Sequence, residues 1–276
     1  MAIIYLNGVF QTNFEGIKRL HQFFVEASQY RDTELYIDFT RLIFLDGNLC
    51  ALLHSMLYRL SNNNNLIFAT DFEYVNSKFD VLVRNGFIPM TGPGGDMKNS
   101  TIGLKQFDVK DVDGFVNYIQ NDLLAHRGMK LSQEEYEKIF DCIIEIFTNV
   151  DLHSKTIHPF FACGQYFPEK NVLKFTMVDI GNGFLPAIQA KTMGNISNSY
   201  DAIRWALEER NTTKIDSPGG LGLPTLLDYF KTSTGNMQII TGNTYWSSEF
   251  DKSLVKYQKF VNPCVGTMIN LLFSYN

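Results

Sequence analysis

The sequence predicts a fold in two parts: a small α/β unit, followed by an α+β sandwich in which one sheet carries helices on one face. Segments typical of strands and helices alternate over the first hundred of the 276 residues, which favours a small sheet covered by helices. A Gly- and Pro-rich stretch, "TGPGGDMKNST" at 91–101, then predicts a linker. Beyond it, helical segments and neighbouring strand-like segments predict the sandwich. We therefore place the domains at 1–95 and 101–276.

Hydrophobic periodicity and turn residues define each element of the first unit. Apolar residues at helical spacing predict helices, and alternating or short apolar runs predict strands. In chain order the elements are a strand in "IIYLNGV", a helix in "FEGIKRLHQFFVEAS", a strand in "ELYIDF", a helix in "DGNLCALLHSMLYRLS" that begins at a capping Asp46, a strand in "NLIFAT", and a helix in "NSKFDVLVRNGF" stopped by Gly86.

The second unit has a different order of elements. A strand in "TIGLKQFDV" precedes two helices, "DVDGFVNYIQNDLLAH" and the long "SQEEYEKIFDCIIEIFTNVDLHS". "PFFACGQYF" and "NVLKFTMVDI" are typical of adjacent strands, with "PEKN" as a tight connection. A helical pattern in "SYDAIRWALEER", a glycine-rich turn into a helix in "SPGGLGLPTLLDYF" and strand-like material complete the unit.

Composition and charge exclude several classes of protein. The chain has 24 basic and 29 acidic side chains and a net charge of −5, and without a basic patch it is not expected to bind nucleic acid. No segment has the roughly 18 uninterrupted apolar residues of a membrane helix, and the first residues do not resemble a signal peptide. The four cysteines form no CxxC pair. These features predict a cytoplasmic protein with reduced thiols.

The stretch "DCIIEIFTNVDLHS", 141–154, lies in the long predicted helix and carries Glu145, Asn149 and His153 at intervals of four. Each step of four advances about 40° beyond a full turn, so the three side chains form one slanted stripe. This stripe could line a cavity, or it could be the solvated face that any amphipathic helix has. Four apolar residues point in other directions and can face the core: Ile143, Ile144, Phe147 and Val150.

A second candidate element, "VDIGNGF" at 178–184, ends a predicted strand with an Asp followed by two glycines. Gly181 and Gly183 permit positive φ and close approach of the backbone to a ligand, although a simple Asx turn explains the same residues. It is not a dinucleotide-binding motif, because Pro186 stands where the third glycine would be.

The third candidate element is "PGGLGLPTLLDYF", 218–230, in which a glycine-rich turn leads directly into a helical pattern. Backbone N–H groups at a helix N-terminus, together with the helix dipole, suit an anion such as phosphate. A flexible loop capped by a helix is the alternative. The chain has no GxxxxGK[ST] motif, so this is not a P-loop.

These three elements, in this order and spacing, resemble the GHKL ATP-binding family of gyrase and histidine kinases over residues 101–276. "EIFTNVDLH" resembles its N box, "DIGNGF" and "GGLGL" its two glycine boxes, and "VGTMINLLF" its closing strand. The resemblance implies a Bergerat-type α/β sandwich that binds ATP and Mg²⁺. The implied ligand residues are Asn149 for Mg²⁺, Asp179 and Thr267 for adenine, Gly181 and Gly183 for close backbone approach, and Gly220 and Gly222 for the phosphates.

The same resemblance implies that Glu145 activates the attacking water or hydroxyl, and that residues 185–217 form a mobile lid over ATP. The pattern E-x-x-x-N-x-x-x-H is closer to anti-sigma factor serine kinases than to sensor histidine kinases. His153 has two interpretations, a role in the site or simple packing at the helix end.

Residues 34–60, "ELYIDFTRLIFLDGNLCALLHSMLYRL", resemble the core of STAS domains, the fold of anti-sigma factor antagonists. In those domains a phosphorylatable D-S-S-G begins a helix, and here the position holds Asp46-Gly47-Asn48-Leu49 without serines. The resemblance implies a docking or dimerisation module that cannot be phosphorylated there. A generic small α/β domain is the alternative.

Together these features predict an ATP-binding regulatory protein with weak ATPase or protein serine/threonine kinase activity, of the anti-sigma, partner-switching type. The expected partner is a protein, such as a sigma factor- or STAS-type regulator, and a homodimer is left open. A non-catalytic, ATP-dependent switch and a scaffold with a dead pocket are the alternatives.

Overall fold

The chain has a mixed α/β architecture built around two main sheets. The computed structural model describes residues 2–90, 95–153, 157–209, 211, 220–264 and 266–275, without the side chains of 151–153 and 251–252. Within these ranges, a small parallel sheet near the N-terminus is followed by a seven-stranded antiparallel sheet. None of the helices in these ranges is long and apolar enough to cross a membrane.

The N-terminal unit, residues 2–90, contains a three-stranded parallel sheet, a separate pair of parallel strands and four α-helices. Strand β3 lies between β1 and β5, and β2 pairs with β4, all in parallel. The elements are β1 (Ala2–Tyr5), β2 (Gly8–Phe10), α1 (Phe14–Ala27), β3 (Glu34–Asp38), β4 (Leu42–Leu45), α2 (Cys50–Asn64), β5 (Ile67–Ala69), α3 (Phe72–Lys78) and α4 (Val81–Arg84).

Two predictions for this unit are corrected by the structure. The single helix predicted over 76–87 is two short helices, because Asp71 caps α3 earlier by accepting the Tyr74 N–H and because Phe79 leaves the helical conformation with φ −135° and ψ 50°. Asp46 makes no side-chain cap for the turn that leads into α2. Its carboxylate instead accepts hydrogen bonds from Thr12 and pairs with Lys174 at 2.7 Å.

The second unit builds the large sheet, and its last strand is placed centrally. The strand order is β11-β10-β9-β12-β8-β7-β6. The elements are β6 (Thr101–Phe107), α5 (Val112–Tyr118) with a π-helical continuation to Leu124, α6 (Gln133–His153), β7 (Phe160–Phe167), β8 (Val172–Asp179), α7 (Phe184–Lys191), α8 (Ser199–Ala206), α9 (Gly222–Thr232), β9 (Asn236–Thr241), β10 (Thr244–Ser247), β11 (Gln258–Lys259) and β12 (Thr267–Ser274).

The large sheet is covered by helices on both faces, where the sequence predicts them on one. On the inner face, α5, α6 and α9 bury a core in which the rings of Phe115 and Phe147 stack at 4.1 Å. On the outer face, residues of the N-terminal unit pack against Phe161, Val178 and Met268. The near-continuous apolar run of β8 agrees with this arrangement, because a strand buried on both sides has no polar face.

The two predicted domains therefore share a buried interface, and their boundaries at 1–95 and 101–276 stay predictions. Residues 91–94 of the predicted linker lie outside the described residues. The described rest of the linker makes specific contacts. The Asp96 carboxylate forms an ion pair with Arg84 at 2.5 Å and accepts hydrogen bonds from Ser100 and Thr101.

Candidate functional site

A pocket opens between α6, the ends of β8 and β12, helices α7 and α8, and the start of α9, with a cavity volume of about 140 Å³. Seven of the eight residues predicted from the motifs line it, although they come from positions 145 to 267. They are Glu145, Asn149, Asp179, Gly183, Gly220, Gly222 and Thr267. The eighth, Gly181, does not line the pocket. The fold thus brings the three sequence elements and the closing strand to one place.

Asp179 is the buried acid of the pocket. It ends β8 and is 6% exposed. Burial raises the pKa of its carboxyl from 3.8 to about 6, although hydrogen bonds from the Gly181 N–H and from Thr267 oppose the rise. The Gly181 N–H lies 2.7 Å from Asp179 Oδ1, so Gly181 orients the acid. A carboxylate held this way offers its remaining lone pairs to a donor in the pocket.

Gly183 and Gly266 shape the backbone beside Asp179. Gly183 has φ +72°, and a Cβ there would lie 2.5 Å from Thr241 Oγ1. The same hydroxyl accepts the Phe184 N–H at 3.1 Å, which fixes the start of α7. Gly266 has φ +71°, and a Cβ there would lie 1.9 Å from the Asp179 carbonyl oxygen. Both positions therefore require glycine.

The stripe on α6 faces the pocket rather than bulk solvent. Glu145 and Asn149 are partly buried and line the cavity together with Ile146 and Val150. Val150, expected to be able to face the core, belongs to the buried core and also lines the pocket. The side chain of His153 lies outside the described residues, so both interpretations of it stay open.

Asn149 presents an unused oxygen. Its Oδ1 is buried and has no hydrogen-bond partner among the described residues. A buried amide oxygen without a partner costs free energy. A cation or a donor in the pocket would remove that cost, and amide oxygens are accepted ligands of Mg²⁺ and Ca²⁺.

Glu145 already has a partner on the glycine-rich segment. Its Oε1 accepts the Gly220 N–H at 2.9 Å. Gly220 has φ +81°, and a Cβ on Gly222 would lie 3.1 Å from Glu145 Oε2. Gly222 is the first residue of α9, so a carboxylate occupies the N-terminal end of this helix, where the dipole favours negative charge.

The apolar walls of the pocket were not predicted from the motifs. Met177 and Ile269 form the floor beside Asp179, and Phe184, Trp205 and other apolar residues form the sides. Two signals pointed to them: Met177 lies two positions before Asp179 on the same face of β8, and Phe184 directly follows Gly183. Nothing in the sequence singled out Trp205.

The described part of the segment predicted as a lid, 185–209 and 211 within 185–217, contains two helices. Helices α7 and α8 occupy its first part, and they bury Ile188, Ala202 and Ile203. Residues 210 and 212–217 of the predicted lid lie outside the described residues, so the structure does not test the lid prediction for them.

Charge in the pocket is negative. The described lining residues include Glu145 and Asp179 but no Lys, Arg or His. Among the described residues, the backbone N–H groups at the start of α9 are the groups that suit an anionic ligand.

The turn at 46–49 is on the other side of the sheet from the pocket. Asn48 donates to Thr176, whose side chain faces the N-terminal unit, whereas Met177 and Asp179 face the pocket. A group bound in the pocket is thus separated from this turn by the sheet of the same chain.

Comparisons with protein-family models, with curated proteins and with solved structures found no match to this chain.

Proposed function

We propose that the chain is an ATP-binding regulatory protein that takes Mg-ATP into this pocket and turns it over slowly, as a weak ATPase or a protein serine/threonine kinase. The observation that carries the proposal is the convergence of seven motif residues on one pocket. The motifs are defined by the sequence alone, so their meeting in one pocket supports the resemblance that links them.

The adenine end of the nucleotide fits the buried end of the pocket. The Asp179 carboxylate accepts hydrogen bonds, and the exocyclic amine of adenine donates them. Thr267 lies beside it, and Met177 and Ile269 offer apolar contact to the base. Guanine has a carbonyl at the corresponding position, so an acceptor there discriminates against it.

The phosphates fit the end of the pocket at Gly220 and Gly222. The N-terminus of α9 and the backbone around Gly220 suit an anion. Magnesium fits the residues present, because Asn149 Oδ1 is a buried oxygen without a partner, and Mg²⁺ is held by one or two protein oxygens together with substrate phosphates and water. When bound, the ion would offset the negative charge of the phosphates near the Glu145 carboxylate.

Glu145 has two candidate roles. As a general base, it would accept the proton of the attacking water or hydroxyl. Its hydrogen bond to the Gly220 N–H favours a second candidate function, a non-catalytic switch, in which arrival of the phosphates releases this contact and changes the position of the glycine-rich segment.

Calorimetric titration with ATP and GTP, with and without Mg²⁺, tests binding. We expect Mg-ATP binding that Asp179→Asn abolishes and no comparable GTP binding. No heat with any adenine nucleotide would reject the proposal and leave the scaffold with a dead pocket.

Turnover of Mg-ATP separates the two roles of Glu145. As a catalyst, Glu145→Gln should bind ATP but lose turnover by about 10²-fold or more. Glu137→Gln is the matched control, since Glu137 lies on the same helix, is exposed and is absent from the pocket lining. If neither wild type nor variant turns ATP over with any partner, the switch is correct.

The finer assignments belong to the same proposal. A STAS-like N-terminal unit and a protein partner of the sigma factor- or STAS-type are supported by the sequence resemblance alone. A cytoplasmic location is supported by the cysteine pattern of the sequence, and a homodimer stays an open alternative. Co-purification of the full chain from cells, with and without ATP, is the test for the partner.

A further inference from the structure

A ring of buried polar side chains joins the N-terminal unit to the strands behind the pocket. Asn48 Nδ2 donates to Thr176 Oγ1 at 2.7 Å, and Thr176 Oγ1 donates to Asn270 Oδ1 at 2.7 Å. Asn270 Nδ2 donates to Gln238 Oε1 at 3.0 Å, and Gln238 Nε2 donates to the Thr12 carbonyl at 3.1 Å. Asn48 Nδ2 also donates to Thr12 Oγ1 at 3.0 Å, which closes the ring.

Three members of the ring form one row across the sheet. Asn270 on β12 is paired with Thr176 on β8 and with Gln238 on β9. Their side chains are on the outer face, toward the N-terminal unit. All five members are at most 4% exposed, so water cannot readily replace a lost partner, and each missing bond leaves a buried polar group unsatisfied.

The row that carries the pocket lies three residues further along the same strands. Thr267 on β12 is paired with Asp179 on β8 and with Thr241 on β9. Because side chains alternate between faces, an offset of three residues puts this second row on the opposite face. Asp179 and Thr267 line the pocket, and Thr241 holds the turn at Gly183.

We propose that Asn48 and Thr176 are positioning residues for the nucleotide: the ring clamps β8, β12 and β9 in register and so fixes the row that binds the base. The inference rests on the proposed function and deepens it. It assigns the N-terminal unit a role in ligand affinity, exerted through the sheet and without contact to the ligand.

The clamp is tested with full-length variants that remove single members of the ring. Thr176→Val keeps the volume and removes the hydroxyl, whereas Thr176→Ser keeps the hydroxyl. Asn48→Ala removes both of its donated bonds. Ser55→Ala is the matched control, because Ser55 is buried in α2 and, among the described residues, its hydroxyl donates to the Leu52 carbonyl and to no member of the ring.

Each variant is checked for folding by circular dichroism, and its Kd for Mg-ATP is measured by calorimetry. Thr176→Val and Asn48→Ala should raise Kd by about 3- to 30-fold, the range of coupling through packed networks. Thr176→Ser and Ser55→Ala should stay within about twofold of wild type. Because both changes break the same ring, the Kd of the double variant should rise by less than the product of the two single-variant fold-changes.

Folded Asn48→Ala and Thr176→Val proteins that bind Mg-ATP like wild type would overturn the clamp and leave the proposed function intact. Failure of both to fold would also overturn it, because the ring would then hold the fold and not the site. If wild type binds no adenine nucleotide, the proposed function fails. Amide exchange of the ligand-free chain then decides the clamp: faster exchange at Asp179 and Thr267 in Asn48→Ala than in Ser55→Ala supports it, and equal exchange refutes it.

Discussion

Replacing Asp179 by Asn should stabilise the empty protein at neutral pH while abolishing the proposed ATP binding. Burial raises the pKa of the Asp179 carboxyl from 3.8 to about 6. The difference corresponds to about 3 kcal/mol at about 1.4 kcal/mol per pKa unit. That free energy is the cost of keeping the buried group ionised above pH 6. Asparagine carries no charge but must place an NH₂ group in the pocket. We therefore expect the free energy of unfolding of the empty protein to rise by about 1–3 kcal/mol.

The pH dependence of this gain has a definite sign. A proton on Asp179 favours the folded state, because the folded pKa exceeds the unfolded pKa. In wild type, the contribution of this proton to the free energy of unfolding is fully present below pH 3.8 and is lost as the pH rises through about 6. Asp179→Asn does not titrate. Its advantage over wild type should therefore grow between about pH 4 and pH 7 and stay constant above.

Urea unfolding of both proteins at about pH 4.5 and about pH 7.5 measures this difference. Asp96→Asn is a control of opposite sign. Burial alone would raise the pKa of Asp96, but hydrogen bonds from Arg84, Ser100 and Thr101 together lower it, so this variant should lose stability at pH 7.5. An Asp179→Asn effect of equal size at both pH values would refute the reasoning, since charge would then have no part in it.

Three further predictions concern the pocket and the interface. Gly183→Ala should destabilise the fold by about 1–3 kcal/mol in urea unfolding, because of positive φ and of contact with Thr241; wild-type stability would contradict the assigned turn. Asp46→Asn should lower the free energy of unfolding by about 2–4 kcal/mol, because Lys174 then loses its 2.7 Å ion pair with a buried carboxylate. A loss no larger than that of a solvent-exposed ion pair would contradict this prediction. If the chain binds Mg-ATP as proposed, Asn149→Ala should remove the gain in ATP affinity that Mg²⁺ gives and leave the affinity in EDTA unchanged, by calorimetry. An equal loss with Mg²⁺ and with EDTA would show that Asn149 contacts the nucleotide itself.

Much of the second unit could be predicted because its signals are local. The apolar spacing of α6 and the glycines that begin α9 appear in contiguous sequence, and the structure has helices there. The convergence of Glu145, Asp179 and Thr267 could be expected only through the family resemblance. Nothing in their spacing shows that β12 inserts between β8 and β9.

The parts that were missed depend on long-range contacts. Asp46 stands where a helix cap is expected, but Thr12 and Lys174 compete for its carboxylate, and Lys174 is 128 residues away. The sequence indicated only that Asn48 stands where STAS domains have a phosphoacceptor serine. Its hydrogen-bond partner Thr176 is far away in sequence, on β8 of the large sheet. Glu145 was expected to activate the attacking water or hydroxyl. Its hydrogen bond from the Gly220 N–H depends on how α9 packs against α6.

The covered outer face of the large sheet constrains how any regulator can act. Detaching residues 2–90 would expose Phe161, Val178 and Met268, each at most 3% exposed in the intact chain. It would also leave the Gln238 side-chain amide without its acceptor, the Thr12 carbonyl. Exposed apolar area costs about 25 cal/mol per Å², so release of this unit amounts to partial denaturation. A fragment cut at the glycine-rich junction should precipitate or recruit chaperones, and signals must reach the pocket with both halves assembled.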